Sequence, residues 1–138
     1  MASFNKYQKG VEALMEAINA QTDTWKVALT NRAPVVATDA TITDATEIAA
    51  GNGYTAGGNT AAVSSSSQTG GVYKLILTSP STWTATGGSM GPFRYAVLYD
   101  STTNNLIGYW DYGSAVTLLL SETFTVSLDG TNGVFSVT

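Results

Sequence analysis

Apolar and polar residues alternate with a period of two through much of this 138-residue chain. The clearest stretch is Pro92 to Tyr112. Phe93, Tyr95, Val97 and Tyr99 alternate with Arg94, Ala96 and Leu98; Asp100 to Asn105 is polar; Leu106, Ile107, Tyr109, Trp110 and Tyr112 form a second apolar run. Successive strand side chains point to opposite faces, so this period predicts strands. The polar residues between the runs bond their own backbone and favour a turn, which makes the pair a β-hairpin. It holds a large share of the aromatic rings, so the core is expected to grow around it.

Near the start the period changes. Phe4, Tyr7, Gln8, Val11, Leu14, Met15 and Ile18 recur at spacings of three and four, with Lys6, Lys9, Glu12 and Glu16 off the stripe. That spacing predicts an amphipathic helix within residues 1–22, capped by Ser3 and ended by the polar run Asn19 to Asp23. A helix of this length is marginal alone, so its stripe needs a surface. Either it packs on the rest of the chain or it docks on a partner.

Residues 23–138 return to short strands. Thr24 to Thr30 sends Trp25, Val27 and Leu29 to one side. Asn31 to Thr41 reads as a loop, Ile42 to Ile48 as weakly extended, and the glycine-dense Ala49 to Asn59 as turns and bulges. Thr60 to Ser66 suits an edge strand. Val72 to Thr78 is apolar on both faces and is expected to be central. Trp83 to Thr86 is a short strand; Gly87 to Gly91 turns into the hairpin; Gly113 and Ser114 turn into Val116 to Leu120. Thr123 to Leu128 and Val134 to Val137 follow, separated by Asp-Gly and Asn-Gly turn pairs. The expectation is one domain over residues 1–138: a mainly β, jelly-roll-like antiparallel sandwich of about eight or nine strands, preceded by one helix. An immunoglobulin-like sandwich is the alternative topology.

Composition narrows the function. Charged residues are 12%, about half the usual share, and Gly, Ser, Thr and Ala fill the gap. Uncharged polar faces pack on partners at little desolvation cost. The net charge of −4, with six Lys and Arg together, argues against direct nucleic-acid contact. Cys and His are both absent, so thiolate chemistry and the commonest general base are missing. No stretch reads as a secretory leader or a membrane span, which points to synthesis and assembly in a cytoplasm.

Four patterns resemble chemistry. Gly87-Gly88-Ser89-Met90-Gly91 matches G-x-S-x-G, but a strand rather than a helix is expected after it. Gly51-Asn52-Gly53-Tyr54-Thr55-Ala56 matches G-x-G-x-x-A, yet Gly57, Gly58, Asn59 and Thr60 will not start the helix a pyrophosphate needs. Asp39, Asp44 and Glu47 could gather round calcium but lack EF-hand spacing; they read better as loop carboxylates. Asp100 and Asp111 flank the hairpin as a conceivable glycosidase pair. No catalytic, metal or cofactor site is expected. Tyr95, Tyr99, Tyr109, Trp110 and Tyr112 suit a core with phenols at its rim, or a face that stacks on sugars.

Three segments carry a resemblance: Glu47 to Gly58, Gly91 to Tyr99 and Trp110 to Gly113, with Trp25 to Asn31 in support. They resemble the small virion structural proteins of tailed bacteriophages, and within that group the jelly-roll capsid cement (decoration) proteins such as that of a Bordetella phage. The resemblance covers nearly the whole chain. It implies a non-enzymatic protein on the capsid exterior, assembled in the bacterial host cytoplasm. Such a protein binds the outside of the icosahedral head and holds major capsid protein subunits together. Self-association as a dimer or trimer is implied, with no membrane. The expected partner contacts are the helix region, through Phe4, Lys6, Tyr7 and Lys9, and one sheet edge. The alternative is a phage tail or host-surface carbohydrate-binding sandwich.

Overall fold

The computed structural model describes residues 2–138. It is mainly β, antiparallel and sandwich-like, and its centre is the expected hairpin. Strand β7 (Met90–Asp100) pairs with β8 (Asn105–Leu118). On one side β1 (Phe4–Lys6) adds to β8; on the other, β2 (Trp25–Thr30) adds to β7 and β3 (Asn59–Thr60) to β2. The order of this five-stranded sheet is therefore β1-β8-β7-β2-β3. A three-stranded sheet follows the order β10-β5-β4, from β4 (Val63–Thr69), β5 (Val72–Leu77) and β10 (Phe135–Val137). The short strands β6 (Trp83–Thr84) and β9 (Thr123–Phe124) pair separately.

The larger core lies between the sheets. Trp25, Val27, Leu29, Leu75, Leu77, Trp83, Phe93 and Leu98 meet there, each no more than 2% exposed. The apolar period of β5 on both faces placed it centrally, and it is the middle strand of its sheet.

The alternation in β7 is broken on either side of Phe93, and Met90 also lies in the larger core. Phe93 shares the larger core with Ala96 and Leu98, while Val97 and Tyr99 lie in a second cluster on the opposite face. A register shift between Phe93 and Tyr95 accounts for this: Phe93 pairs with Val116 but Tyr95 with Asp111. Extra residues bulge out on β8 there, around Gly113 at φ +88°. The turn expected at Gly113 and Ser114 is thus a bulge inside one long strand. Of the two other shifts, one lies between Met90 and Phe93, and the one between Leu98 and Tyr99 leaves Ile107 without a β7 partner.

The chain does not open with the helix. Phe4–Lys6 is a strand, because the Phe4 ring packs on Trp110 (centroids 4.9 Å apart) and on the bare backbone of Gly108. Ser3 caps nothing. The helix α1 (Gln8–Glu16) follows, with Tyr7 at its N-cap, no side-chain cap, and the Tyr7 N–H donated to Ile107 O (3.0 Å). Ile42–Ala45, expected to be extended, is a single helical turn, α2, because Thr41 and Asp44 form a capping box. The strand expected over Thr123 to Leu128 shortens to β9, and Val126 turns into the core.

Residues 31–47 cover the far face of the large sheet. They leave β2 at Thr30, reach the edge of β8, where Leu106 N–H donates to Ala40 O and Ile42 N–H to Asn104 O, and return to pair Glu47 with Thr30. The strap's Ala45 packs there with Tyr7, Ala28, Val97, Tyr99 and Leu106.

Candidate partner-binding groove

Helix α1 lies on β8 at the Ile107 bulge. Gly10 permits that approach, since a Cβ there would stand 2.5 Å from Leu106 O. Ala13 is buried, whereas Val11 and Met15, one turn apart, are 47% and 80% exposed. Lys9 near the start and Glu16 at the end oppose the helix dipole rather than complement it. Packing, not intrinsic propensity, holds the helix in place.

The exposed side of α1 forms one wall of a groove of about 450 Å³. Phe4 and Lys6 of β1 line it, with Ile107 below and Phe135, Ser136 and Val137 of β10 opposite. Strands β1 and β10 are each the last strand of their sheet. End strands offer backbone groups to an incoming strand, and apolar residues in a groove offer area. Lys6 is the one charged side chain in the lining, so the walls are otherwise apolar or small.

Of the four residues expected to touch a partner, Lys6 and Lys9 are exposed and Phe4 is half-buried. Tyr7 is a correction: it is fully buried under the strap, edge-on to Tyr109 at 5.4 Å, and its hydroxyl has no partner among the described residues. Burial and the nearby Asp39 raise its pKa. Its spacing fits the helical stripe, but the break into β1 turns Tyr7 inward. Val11 and Met15 were legible as apolar positions of that stripe. The β10 wall was not, because nothing local links residues 135–137 to residue 11.

The other candidate chemistries are taken up by structure. Asp39, 4% exposed, holds Arg32 with both oxygens (2.7 and 3.1 Å) and accepts the Val35 N–H. Asp44 accepts the Ala40 and Thr41 N–H groups, which lower its pKa, and Glu47 accepts Gly57 N–H (2.7 Å). Among the described residues these three form no metal-binding group.

Asp111 grips Arg94 at 2.8 and 3.0 Å, which lowers its pKa. Asp100 sits at the far end of the hairpin, fully buried, with one oxygen accepting the Thr102 and Thr103 N–H groups. Burial first, and the neighbouring Asp23 carboxyl second, push Asp100 up to about 6. The two carboxylates do not face one substrate.

Ser89 is followed directly by β7, as its turn reading requires, and its carbonyl accepts Asn52 Nδ2–H (2.9 Å). Gly51 and Tyr54 close a tight turn, and the Tyr54 hydroxyl accepts Leu29 N–H. Tyr95, Tyr99 and Trp110 are buried; Tyr109 and Tyr112 are half-buried. The aromatic cluster is chiefly core.

Fold and groove together define an antiparallel β protein with a largely apolar groove where two sheet edges meet a helix. No family model matches the chain, and no curated protein and no solved structure matches it significantly. No helix among the described residues is long and apolar enough to cross a membrane.

Proposed function

We propose that this chain is a capsid cement (decoration) protein of a tailed bacteriophage. In this reading its jelly-roll-like sandwich is an inert body that sits on the outer surface of the head, bridges major capsid protein subunits and catalyses nothing. The observation that carries the reading is the groove, with Met15 80%, Val137 53% and Val11 47% exposed beside two end strands. Apolar side chains gathered at such a place mark a docking surface. A charge-poor surface supports the same reading, because little solvation is lost on contact. Symmetry multiplies modest contacts into a firm attachment.

The test is binding of the purified protein to phage heads that lack it. Saturable binding in hundreds of copies is expected, with greater resistance of the heads to heat and osmotic shock. Met15→Lys and Val11→Lys, both at exposed positions, are expected to weaken binding without unfolding the chain. Heads that ignore the wild-type protein would overturn the reading. Deleting residues 2–19 is a poorer test, since it removes Phe4 and Tyr7 from the core. A carbohydrate-binding module would need free ring faces, and Trp110 and Tyr99 are 5% and 3% exposed.

A further inference from the structure

Among the described residues, the large apolar side chains left exposed are Val11, Met15, Val35, Leu119, Leu120 and Val137. All but Val35 fall in two places. Val11, Met15 and Val137 rim the groove. Leu119 and Leu120, 60% and 62% exposed, are adjacent in the turn between β8 and β9.

That turn is held firmly. Glu122 Oε1 accepts Leu119 N–H (2.7 Å), and Glu122 N–H donates to Leu119 O (2.9 Å). Ser121 N–H donates to Ala85 O, and Ala85 N–H to Glu122 O. Ser121 is kept in the left-handed region, at φ +73°, where a residue with a side chain is uncommon. The two leucines are therefore presented in a fixed arrangement, and little conformational freedom remains to be lost on docking.

We propose that the Leu119–Leu120 turn of one copy seats in the α1–β10 groove of a second copy. The two patches are complementary in kind: a rigid apolar knob and an apolar slot. They are complementary in charge as well, since Lys6 is the one charged residue of the groove lining and Glu122 the one acid of the turn. Along β8 they lie roughly 30 Å apart, from Ile107 to Leu118. A contact between different patches is head-to-tail, so each copy both gives a knob and receives one, and the assembly closes as a ring or runs as a chain. A two-fold contact through the groove alone would leave the leucines bare. The knob is small against the area a stable isolated dimer needs, so the contact is weak in solution and strengthens when a surface aligns the copies.

The inference goes beyond the proposed function and is tested separately from it. The chain has no cysteine, so single cysteines report cleanly. Full-length Met15→Cys and Leu120→Cys proteins are mixed and mildly oxidised. Mixed dimers in clear excess over either homodimer are expected. Predominant Met15→Cys homodimers, or no cross-link up to millimolar protein, would overturn the contact. Sedimentation of the Leu119→Ser, Leu120→Ser double variant, folded by circular dichroism, is expected to show association weakened by about tenfold or more. Unchanged association would also sink the proposal. Cross-linking without head binding removes the cement reading and leaves this contact standing; head binding without the mixed cross-link does the reverse.

Discussion

The five-stranded sheet has two faces, and they are held by different means. The inner face meets a second sheet through large apolar side chains. The outer face has a smaller apolar cluster, and the strap of residues 31–47 is tied across it by polar bonds. Thr30 shows the method: its hydroxyl lies 2.7 Å from Ala45 O and 2.8 Å from Thr46 O, and accepts Arg32 N–H. Asp39 and Arg32, with Asp44 at the α2 cap, complete the fastening. Burial of apolar area tolerates many sequences, whereas a strap without regular structure depends on a few particular polar atoms.

The largest expected effect is on the inner face. Leu98→Ala should cost about 3–4 kcal/mol in chemical denaturation, since two packed sheets cannot close the cavity. Leu106→Ala, under the strap, should cost less because the strap can settle; equal costs would erase the contrast. Thr30→Val keeps the shape and removes the hydroxyl bonds, at about 1–3 kcal/mol. Its sharper signature is faster amide exchange confined to the strap, and a uniform acceleration across β7 would contradict it.

Next comes a pH effect. The folded-state pKa of Asp100 is raised to about 6, so the folded chain binds the proton more tightly than the unfolded one. Stability should therefore fall as pH rises from about 4 to about 6, by on the order of 2 kcal/mol from this group. Asp100→Asn should flatten that slope while its amide oxygen still accepts the Thr102 and Thr103 N–H groups. An unchanged slope would assign the titration elsewhere. The smallest effect belongs to Arg94→Ala. It breaks a bidentate pair with Asp111, but both side chains are more than a third exposed and screened by solvent, so a loss close to the error of the denaturation measurement is expected.

What was legible in the sequence tracks the same contrast. The hairpin and β2 are visible through a period of two, and β5 through apolar residues on both of its faces. The aromatic residues read as core because alternation placed them there. The bulges were invisible in advance: the Phe93 reversal depends on how many residues β8 sets against it, a property of the pair and not of either strand. Phe4 and Tyr7 fitted a helical stripe, and tertiary pairing with Trp110 and Ile107 overrode it. The strap reads as a loop followed by a weakly extended segment, since the bonds that shape it join Ala40 to Leu106 and Thr30 to Ala45. Half of the groove was legible for the same reason: Val11 and Met15 announce a helix face, but Val137 opposes them only once the sheets have formed.

That geometry has a consequence for synthesis. One wall of the groove comes from residues 4–16 and the other from residues 135–137. A nascent or truncated chain lacks the second wall, whatever else it has folded. Under the proposed function, attachment through this surface is reserved for molecules carrying both strands, which would keep partly made copies out of any assembly that selects by it.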